Sequence, residues 1–193
     1  SRSPEPDFQW ADLKGKSVLG GRAGGMPEMV FEYILKKNGL DPQTDLSIDQ
    51  SISFGLTAAA FPGSGADYTV EFEPFATALE QQGQGYVVAS LGVDSGYVPY
   101  TAYSARRTYM EEHPEIIQGF VNAIQKGLEY VNSHSAQEIA EVIHPQFQET
   151  DTATLAVIID RYKEQDTWKE DTIFTKDSFD LLQNILEEAG ELK

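Results

Sequence analysis

The fold is decided by residues 16–37, which read KSVLGGRAGGMPEMVFEYILKK. The short apolar run Lys16–Gly20 predicts a buried strand, and the glycines after it predict a tight loop. A helix is expected next, because Pro27 favours the first helical turn and the apolar residues recur at helical spacing. Gly39 can adopt the left-handed conformation that closes such a helix. A strand, a glycine loop and a helix in this order predict an α/β fold.

The same alternation of short strands and helices continues to about Ser90. It predicts an α/β lobe in which most strands are parallel. The further strands predicted are Leu46–Gln50, Tyr68–Val70 and Tyr86–Ser90, with Tyr100–Ala105 as a fifth strand. The helices predicted between them are Ser53–Phe61 and a helix that begins at Pro74 and ends at Gln82-Gly83.

The second half of the chain is predicted to be mainly helical, because its apolar residues recur every three or four positions. The first of these helices begins at Pro114 and ends near Val131. Ser135 and Glu138 form a capping-box pattern for the next helix, which ends before Pro145. The third helix carries the apolar stripe Leu155, Ile158, Ile159 and Tyr162. The last helix is capped by Thr175 and carries the stripe Phe179, Leu182, Ile185 and Leu186.

Composition excludes several classes of function. The 193 residues include 14 Lys and Arg against 31 Asp and Glu, so the formal net charge of −17 repels nucleic acid and anionic membranes. The absence of cysteine excludes disulfides, thiolate zinc sites, iron–sulfur clusters and a cysteine nucleophile. Residues 1–7 are interpreted as a linker without a signal peptide, and no apolar run is long enough for a membrane span. We therefore expect a processed or truncated chain.

The glycine loop is the first candidate ligand site. Glycines let the backbone approach a ligand, and a helix N-terminus offers unpaired N–H donors, so the loop suits a small oxyanion. Arg22 can add a bidentate hydrogen bond to a carboxylate, sulfonate or phosphate. The loop matches neither the phosphate-binding nor the dinucleotide-binding motif. The spacing alone favours a structural alternative, in which Gly24 and Gly25 make a turn and Arg22 pairs with Glu28.

A second candidate site is the acidic and aromatic segment Asp67–Phe75. The carboxyl end of a strand is where open α/β sheets bind ligands. Glu71 and Glu73 can act as a general acid and base, or can hold a cationic ligand against Phe72, Phe75 or Tyr68 through cation–π contacts. The alternative is that Glu73 caps the helix that follows and that the aromatic residues belong to the core.

The sequence gives no support for a metal or a catalytic centre. His113, His134 and His144 lie beside predicted helix ends, without a carboxylate at metal-ligand spacing. No G-x-S-x-G motif indicates a serine hydrolase. We expect no metal, no cofactor and no catalytic residue.

The order of four short motifs resembles a known family. The motifs are Trp10–Lys16 (WADLKGK), the glycine loop, Glu73-Pro74-Phe75, and His113-Pro114-Glu115 before a long amphipathic helix. Together they resemble the substrate-binding proteins of ABC importers for nitrate, sulfonates, taurine and thiamine precursors (NMT1/THI5-like and SsuA/TauA-like). The resemblance spans nearly the whole chain.

The resemblance implies a type II periplasmic-binding-protein fold, in which a ligand is trapped between two lobes. It implies that residues 8–96 form the second α/β lobe. Residues 97–193 would return to the first lobe as its mainly helical part, which is incomplete because the family's usual N-terminal segment is missing. Carried over by position, the ligand-binding residues are Gly21, Arg22, Gly24, Gly25, Met26, Glu71, Phe72 and Glu73, with Ser51 and Ser53 as weaker candidates.

The resemblance also implies a function. We expect a non-enzymatic, extracytoplasmic solute-binding component that presents a sulfonate-, nitrate- or taurine-like anion, or a thiamine-precursor-like heterocycle, to an ABC permease. Contact with the membrane would occur only through a lipid anchor or the permease. Exposed first-lobe helices would allow a dimer. The alternatives are the effector domain of a transcriptional regulator, which uses a similar fold, and an enzyme that uses Glu71 and Glu73.

Overall fold

The computed structural model describes residues 1–53 and 55–192 and divides into two compact units. The first unit consists of Ser1–Val98 together with Asp180–Lys193, and the second of Pro99–Phe179. Each unit has its own core. In the described part of the chain, no helix has both the length and the apolar character that a membrane crossing requires.

A small parallel sheet organises the first unit. Its strands are β1 (Ser17–Leu19), β2 (Ser47–Asp49) and β3 (Tyr68–Thr69), in the order β2-β1-β3. Val18 lies opposite Ile48 on one side and Tyr68 on the other, and both pairings are parallel. Three of the five predicted strands are thus confirmed, each somewhat shorter than predicted.

The helices of the first unit begin and end close to their sequence signals. Helix α1 spans Met26–Lys37, with Gly25 as its N-cap and Pro27 in its first turn. Gly39 follows it with φ 78°, as expected for a closing glycine. The other helices are α2 (Thr57–Ala60), α3 (Phe75–Gln81) and α4 (Leu91–Ser95), with single 3₁₀ turns at Trp10–Leu13 and Phe61–Gly63. The helix predicted over Ser53–Phe61 thus becomes one short helix and a 3₁₀ turn.

The core of the first unit lies on both faces of the sheet, because successive strand residues point to opposite sides. Val18 packs in a cluster with Phe31 and Leu35 of α1, whereas its neighbour Leu19 packs in another cluster with Phe61. The short apolar strands are therefore buried on both sides, as parallel strands usually are.

Two predicted strands are wrong. Tyr86–Ser90 forms no strand, because its hydrogen bonds go elsewhere: the Tyr86 N–H donates to the carbonyl of Ser1, and the Val87 N–H donates to the Glu80 carboxylate. Tyr100–Ala105 also forms no strand, and its residues are all exposed. Neither segment pairs with another strand in the part of the chain that the structure describes. Their β-prone residues alone were therefore not sufficient to predict a strand.

The second unit is helical, as predicted. It contains α5 (Arg107–Glu112), α6 (Pro114–Ser133), α7 (Ala136–Ile143) and α8 (Thr152–Glu164), with a 3₁₀ turn at His144–Gln146. Its core is formed between α7 and α8 by Ala136, Ile139, Ala140, Leu155 and Ile159. The capping box of Ser135 and Glu138 is present at the start of α7.

Helix α9 (Lys176–Glu188) returns the chain to the first unit, to which its residues from Asp180 onward belong. Thr175 precedes it, and the Ser178 N–H donates to the Thr175 hydroxyl over 3.4 Å, which confirms the predicted cap. Ile185 is fully buried against Ile34 of α1. The second half of α9 is therefore part of the core of the first unit.

Candidate functional site

Three loops meet at one edge of the sheet. The strands β1, β2 and β3 are parallel neighbours, so their carboxyl ends lie at the same edge. The loops that leave this edge are residues 20–25, 50–53 and 70–73. They contain nearly all of the ligand-binding residues predicted from the sequence, with Met26 next in the chain. The structure therefore gathers the candidate residues at the edge where open α/β sheets bind ligands.

The glycine loop makes a sharp connection between β1 and α1. Gly21 and Gly24 have φ values of 76° and 71°, a left-handed conformation that favours glycine over any residue with a side chain. Gly25 is the N-cap of α1, and Met26 is its first residue. The side chain of Arg22 is exposed at this edge. The loop has the geometry that its sequence predicts.

Two N–H groups of the loop are already used by the protein. The Gly24 N–H donates to Oε2 of Glu28 over 3.1 Å, and the Gly25 N–H donates to the Arg22 carbonyl over 3.2 Å. The Glu28 carboxylate thus accepts a hydrogen bond from a loop N–H that was predicted to bind an external anion. The predicted ion pair between Arg22 and Glu28 does not form within residues 1–53 and 55–192. Glu28 accepts hydrogen bonds from Gly24 and Gln50 instead.

Glu28 is the functional candidate that the sequence analysis missed. It is 4% exposed, and its Oε1 accepts a 2.7 Å hydrogen bond from Nε2 of Gln50, which follows β2. Burial, reinforced by a hydrogen bond with the carboxyl group of Glu32, raises the pKa of Glu28 to about 7. Its position in the sequence could have indicated this role. A Glu in the first turn of a helix often accepts a hydrogen bond from a backbone N–H at the start of that helix.

Glu71 is the best-placed carboxylate of the third loop. Its Oε1 accepts a 2.6 Å hydrogen bond from the hydroxyl of Thr69, and its Oε2 accepts a 3.0 Å bond from the hydroxyl of Thr57. Burial raises the pKa of Glu71, while the two hydroxyl donors act in the opposite direction. The side chain is half-buried and fixed in position. It is therefore pre-organised to accept hydrogen bonds from a ligand.

Some residues near Glu71 have structural roles, and others are exposed at the surface. Glu73 caps α3, since its Oε2 accepts the Thr77 N–H over 3.0 Å, which confirms the capping alternative. The core alternative for the aromatic residues holds for Tyr68, which is buried, but is wrong for Phe72 and Phe75, which are 38% and 42% exposed. Two partly exposed rings thus lie beside Glu71 in the sequence.

The serines after β2 form a turn on the surface. The N–H and the hydroxyl of Ser51 both donate to Oδ1 of Asp49, over 2.8 and 2.6 Å. These bonds lower the pKa of Asp49, which stays ionised at the carboxyl end of β2. Ser53 is exposed. Phe54 lies outside the described residues.

The edge is rich in hydrogen-bond acceptors. Acidic side chains in or beside these loops include Glu28, Asp49, Glu71 and Glu73, whereas Arg22 is the only Lys or Arg among residues 20–25, 50–53 and 70–73. Carboxylates recognise N–H donors and cations, and aromatic rings bind planar groups by stacking. Among residues 1–53 and 55–192, no group of three or more His, Cys, Asp or Glu side chains is arranged to hold a metal ion.

Comparison with known proteins agrees with this architecture. Residues 11–144 match the NMT1-like family. The chain is 39% identical over 192 residues to "Putative binding protein YtlA" of Bacillus subtilis (strain 168), an alignment that covers 100% of this chain and 58% of the relative.

Two solved structures share the fold. One is a protein from Bordetella bronchiseptica RB50, with a TM-score of 0.65 and 21% identity. The other is the alkanesulfonate-binding protein SsuA from Xanthomonas axonopodis pv. citri bound to MOPS, with a TM-score of 0.66 and 16% identity. Each match covers 95% of this chain and 61% of the solved chain.

These matches confirm two predictions from the sequence. The fold is the α/β architecture of periplasmic binding proteins such as SsuA, and it is present in part, since the chain spans about three fifths of the length of its relatives. The predicted resemblance is also confirmed, because the family match covers well over half of the chain and the curated relative is aligned along all of it. The chain belongs to the NMT1-like family.

Proposed function

We propose that this chain is the solute-binding component of an ABC import system. The observation that carries the proposal is the convergence of three loops, with their glycines, carboxylates and exposed rings, at the carboxyl edge of the parallel sheet. Membership of the NMT1-like family and the fold shared with SsuA support a solute-binding role. The ligand would be captured at this edge and delivered to a permease.

Of the two ligand classes that the sequence left open, we favour a heterocycle that carries amino groups. Glu71 is half-buried and held by two hydroxyl donors, so it offers its remaining lone pairs in a fixed direction. Phe72 and Phe75 offer exposed aromatic surface for a planar ring. The Gly24 N–H, which an anion would need, already donates to Glu28. These features together favour a ligand that donates hydrogen bonds.

An anionic ligand remains the second candidate because of Arg22. Its guanidinium is exposed at the same edge and can bind a sulfonate or carboxylate in a bidentate manner. In this case Arg22 would be the main ligand-binding side chain, and Glu28 and Glu71 would repel the ligand. The two candidates therefore assign opposite roles to the same residues.

A non-enzymatic role is supported by the different surroundings of the two glutamates. An acid and base pair needs two carboxyl groups that both face the substrate. Glu73 instead binds the Thr77 N–H at the start of α3. Glu71 alone is left to interact with a ligand, which suits recognition better than catalysis.

The cellular setting follows from the family role. We propose an extracytoplasmic protein in which residues 8–96 form the second lobe. Of residues 97–193, predicted to contribute to the first lobe, Asp180–Lys193 belong instead to the compact unit of Ser1–Val98. It would reach the membrane only through a lipid anchor or the permease. Closure of the lobes of the complete protein would favour the bound state through contacts that the open state lacks.

Isothermal titration calorimetry and thermal shift on the complete protein test this function. The ligands are an aminopyrimidine, taurine, nitrate and an alkanesulfonate. The variants are Glu71→Gln, Arg22→Ala and the control Asp41→Asn, whose carboxylate precedes β2 at the opposite edge of the sheet. We expect aminopyrimidine binding that falls at least tenfold in Glu71→Gln and is unchanged in Asp41→Asn. A ligand at 100 times its Kd stabilises the protein by about 2.7 kcal/mol.

The outcomes separate the candidates. Binding of a sulfonate that is lost in Arg22→Ala and kept in Glu71→Gln would reverse the ligand class. Turnover of a ligand would contradict the binding-protein role. Absence of binding to all four compounds in a folded, complete protein would contradict both proposed ligand classes.

A further inference from the structure

Glu191 lies against the glycine loop of the candidate site. A Cβ built on Gly24 would lie 3.0 Å from Oε1 of Glu191 and 3.5 Å from its Cδ. The approach is this close because Gly24, with φ 71°, has no side chain on the side that Glu191 occupies. Both residues belong to the same compact unit. A carboxyl group distant in sequence is therefore added to the loop that follows β1.

The backbone of Glu191 is held by the end of α9. Gly190 is left-handed, with φ 78°, and the Glu191 N–H donates to the Leu186 carbonyl over 2.9 Å. This pattern is typical of a helix that is closed by a glycine. Helix α9 packs in turn on α1, where Ile185 and Ile34 share one core cluster. The helix that carries the glycine loop and the helix that carries Glu191 are therefore fixed to each other.

Gly24 thus meets two carboxyl groups. Glu28 accepts the Gly24 N–H over 3.1 Å, whereas Glu191 lies where a side chain of residue 24 would be. Glu28 is buried, but Glu191 is exposed and can meet a molecule that arrives from solvent. A carboxylate in this place repels an anion and accepts hydrogen bonds from an amino group.

We propose that Glu191 is a specificity-determining residue of the candidate site, which favours ligands that carry an amino group and excludes anions from the glycine loop. The proposal rests on the proposed function, because it names a further residue of the same site. It gives the segment after α9, which the sequence analysis did not connect with the site, a direct part in ligand selection.

Changing the charge at position 191 tests the proposal. Isothermal titration calorimetry on the complete protein compares Glu191→Gln and Glu191→Lys with the unchanged protein, using an aminopyrimidine and an alkanesulfonate. We expect Glu191→Gln to weaken aminopyrimidine binding about threefold, a size typical of an exposed charged contact. Glu191→Lys changes the charge by two units, so it should strengthen alkanesulfonate binding about tenfold. Because the side chain is exposed, neither change should lower the Tm.

The matched control is Glu187→Lys. It makes the same change of charge at another exposed residue near the end of α9, so it has the same effect on the net charge of the protein. We expect it to leave the affinity for both compounds unchanged.

Salt separates repulsion from a change in the shape of the loop. Exposed charges are screened over about 8 Å at physiological ionic strength and over about 3 Å at 1 M. The difference in alkanesulfonate affinity between Glu191→Lys and the unchanged protein should therefore largely disappear at 1 M salt. A rearranged loop would keep the difference.

Nuclear magnetic resonance tests the position of Glu191 without any ligand. The amide resonance of Gly24 should shift in Glu191→Gln and stay in place in Glu187→Gln. A Gly24 resonance that responds to neither change would overturn the proposal, because Glu191 would then not lie against the loop.

The binding results distinguish this proposal from the proposed function. Equal alkanesulfonate affinity in Glu191→Lys and the unchanged protein would overturn the role of Glu191, and so would equal gains in Glu191→Lys and Glu187→Lys. The proposed function would still stand if the aminopyrimidine binds and Glu71→Gln weakens its binding. If neither compound binds to the protein or to any variant, the proposed ligand classes and the role of Glu191 are both wrong.

Discussion

Nε2 of Gln50 donates a 2.7 Å hydrogen bond to Oε1 of Glu28 and thereby ties the loop after β2 to the first turn of α1. The other oxygen of Glu28 accepts the Gly24 N–H. One buried carboxyl group therefore connects two of the three loops at the candidate site. The two hydrogen bonds favour the ionised carboxylate, whereas burial favours the neutral form and raises the pKa of Glu28.

Glu28 predicts a specific pH dependence of stability. Its pKa is about 7 in the folded protein, above the ordinary value of 4.5. The folded state therefore holds this proton more tightly than the unfolded state, so the contribution is complete below about pH 4.5 and is lost as the pH rises through 7. Glu28→Gln removes the charge but puts an NH2 group in place of one of the two oxygens that accept the Gly24 and Gln50 hydrogen bonds. The variant should therefore lose less Tm at pH 8 than at pH 5, by about 2–4 °C, or about 1 kcal/mol.

The measurement is a pair of thermal melts at pH 5 and pH 8. The difference in Tm between the two pH values should shrink in Glu28→Gln and stay unchanged in Asp41→Asn, whose carboxylate lies in an exposed turn. If Glu28→Gln lowers the Tm equally at both pH values, Glu28 is ionised throughout and its proton stabilises nothing.

The Thr57 hydroxyl is predicted to hold Glu71 in its orientation. Thr57 is fully buried and donates to Oε2 of Glu71 over 3.0 Å. Thr57→Val keeps the shape and leaves a half-buried carboxylate with one donor fewer, which should cost about 1–3 kcal/mol in urea unfolding at pH 8. The cost should decrease at pH 4, because the raised pKa of Glu71 makes it neutral there.

The control for this change is Thr44→Val in an exposed turn, for which we expect less than about 0.5 kcal/mol. An equal cost of Thr57→Val at pH 4 and pH 8 would show that the loss comes from packing and has no link to the charge of Glu71. If Glu71 accepts hydrogen bonds from the ligand, Thr57→Val should also weaken ligand binding.

Much of the site could be predicted because its signals are local. The strand Ser17–Leu19, the two left-handed glycines and the Glu73 cap each depend on residues within a few positions of one another. A parallel sheet then brings the loop after each strand to the same edge, whatever the details of packing. Local sequence signals and the parallel topology were therefore sufficient to predict that the candidate residues lie at one edge of the sheet.

The rest depends on contacts distant in sequence. Gln50 reaches Glu28 across 22 positions, and Tyr86–Ser90 is not a strand partly because Tyr86 bonds Ser1, 85 positions away. A periodic pattern identifies a residue that will be buried but does not identify its partner. The apolar stripe of α6 likewise does not identify its own partners: no residue of the helix is fully buried, and Val131 packs partly against the cluster between α7 and α8.

The capping box at the start of α7 predicts a measurable loss of stability in the second unit. The Ser135 hydroxyl accepts the Glu138 N–H, and the Glu138 carboxylate accepts the Ser135 N–H over 2.9 Å. Ser135→Ala should cost about 1 kcal/mol. Ser133→Ala, at the exposed end of α6, is the control and should cost less. Equal losses would mean that the box adds nothing beyond ordinary helix propensity.

Residues 180–193 are predicted to stabilise the first unit despite their distance in sequence. Ile185 is fully buried and packs with Met29 and Ile34 of α1, the helix that carries the glycine loop. Ile185→Ala should therefore cost about 2–5 kcal/mol and speed hydrogen exchange in α1. Asn184→Ala, one position earlier and exposed, should cost less than about 0.5 kcal/mol. If both changes cost equally little, α9 does not support α1, and the candidate site would keep its geometry without the end of the chain.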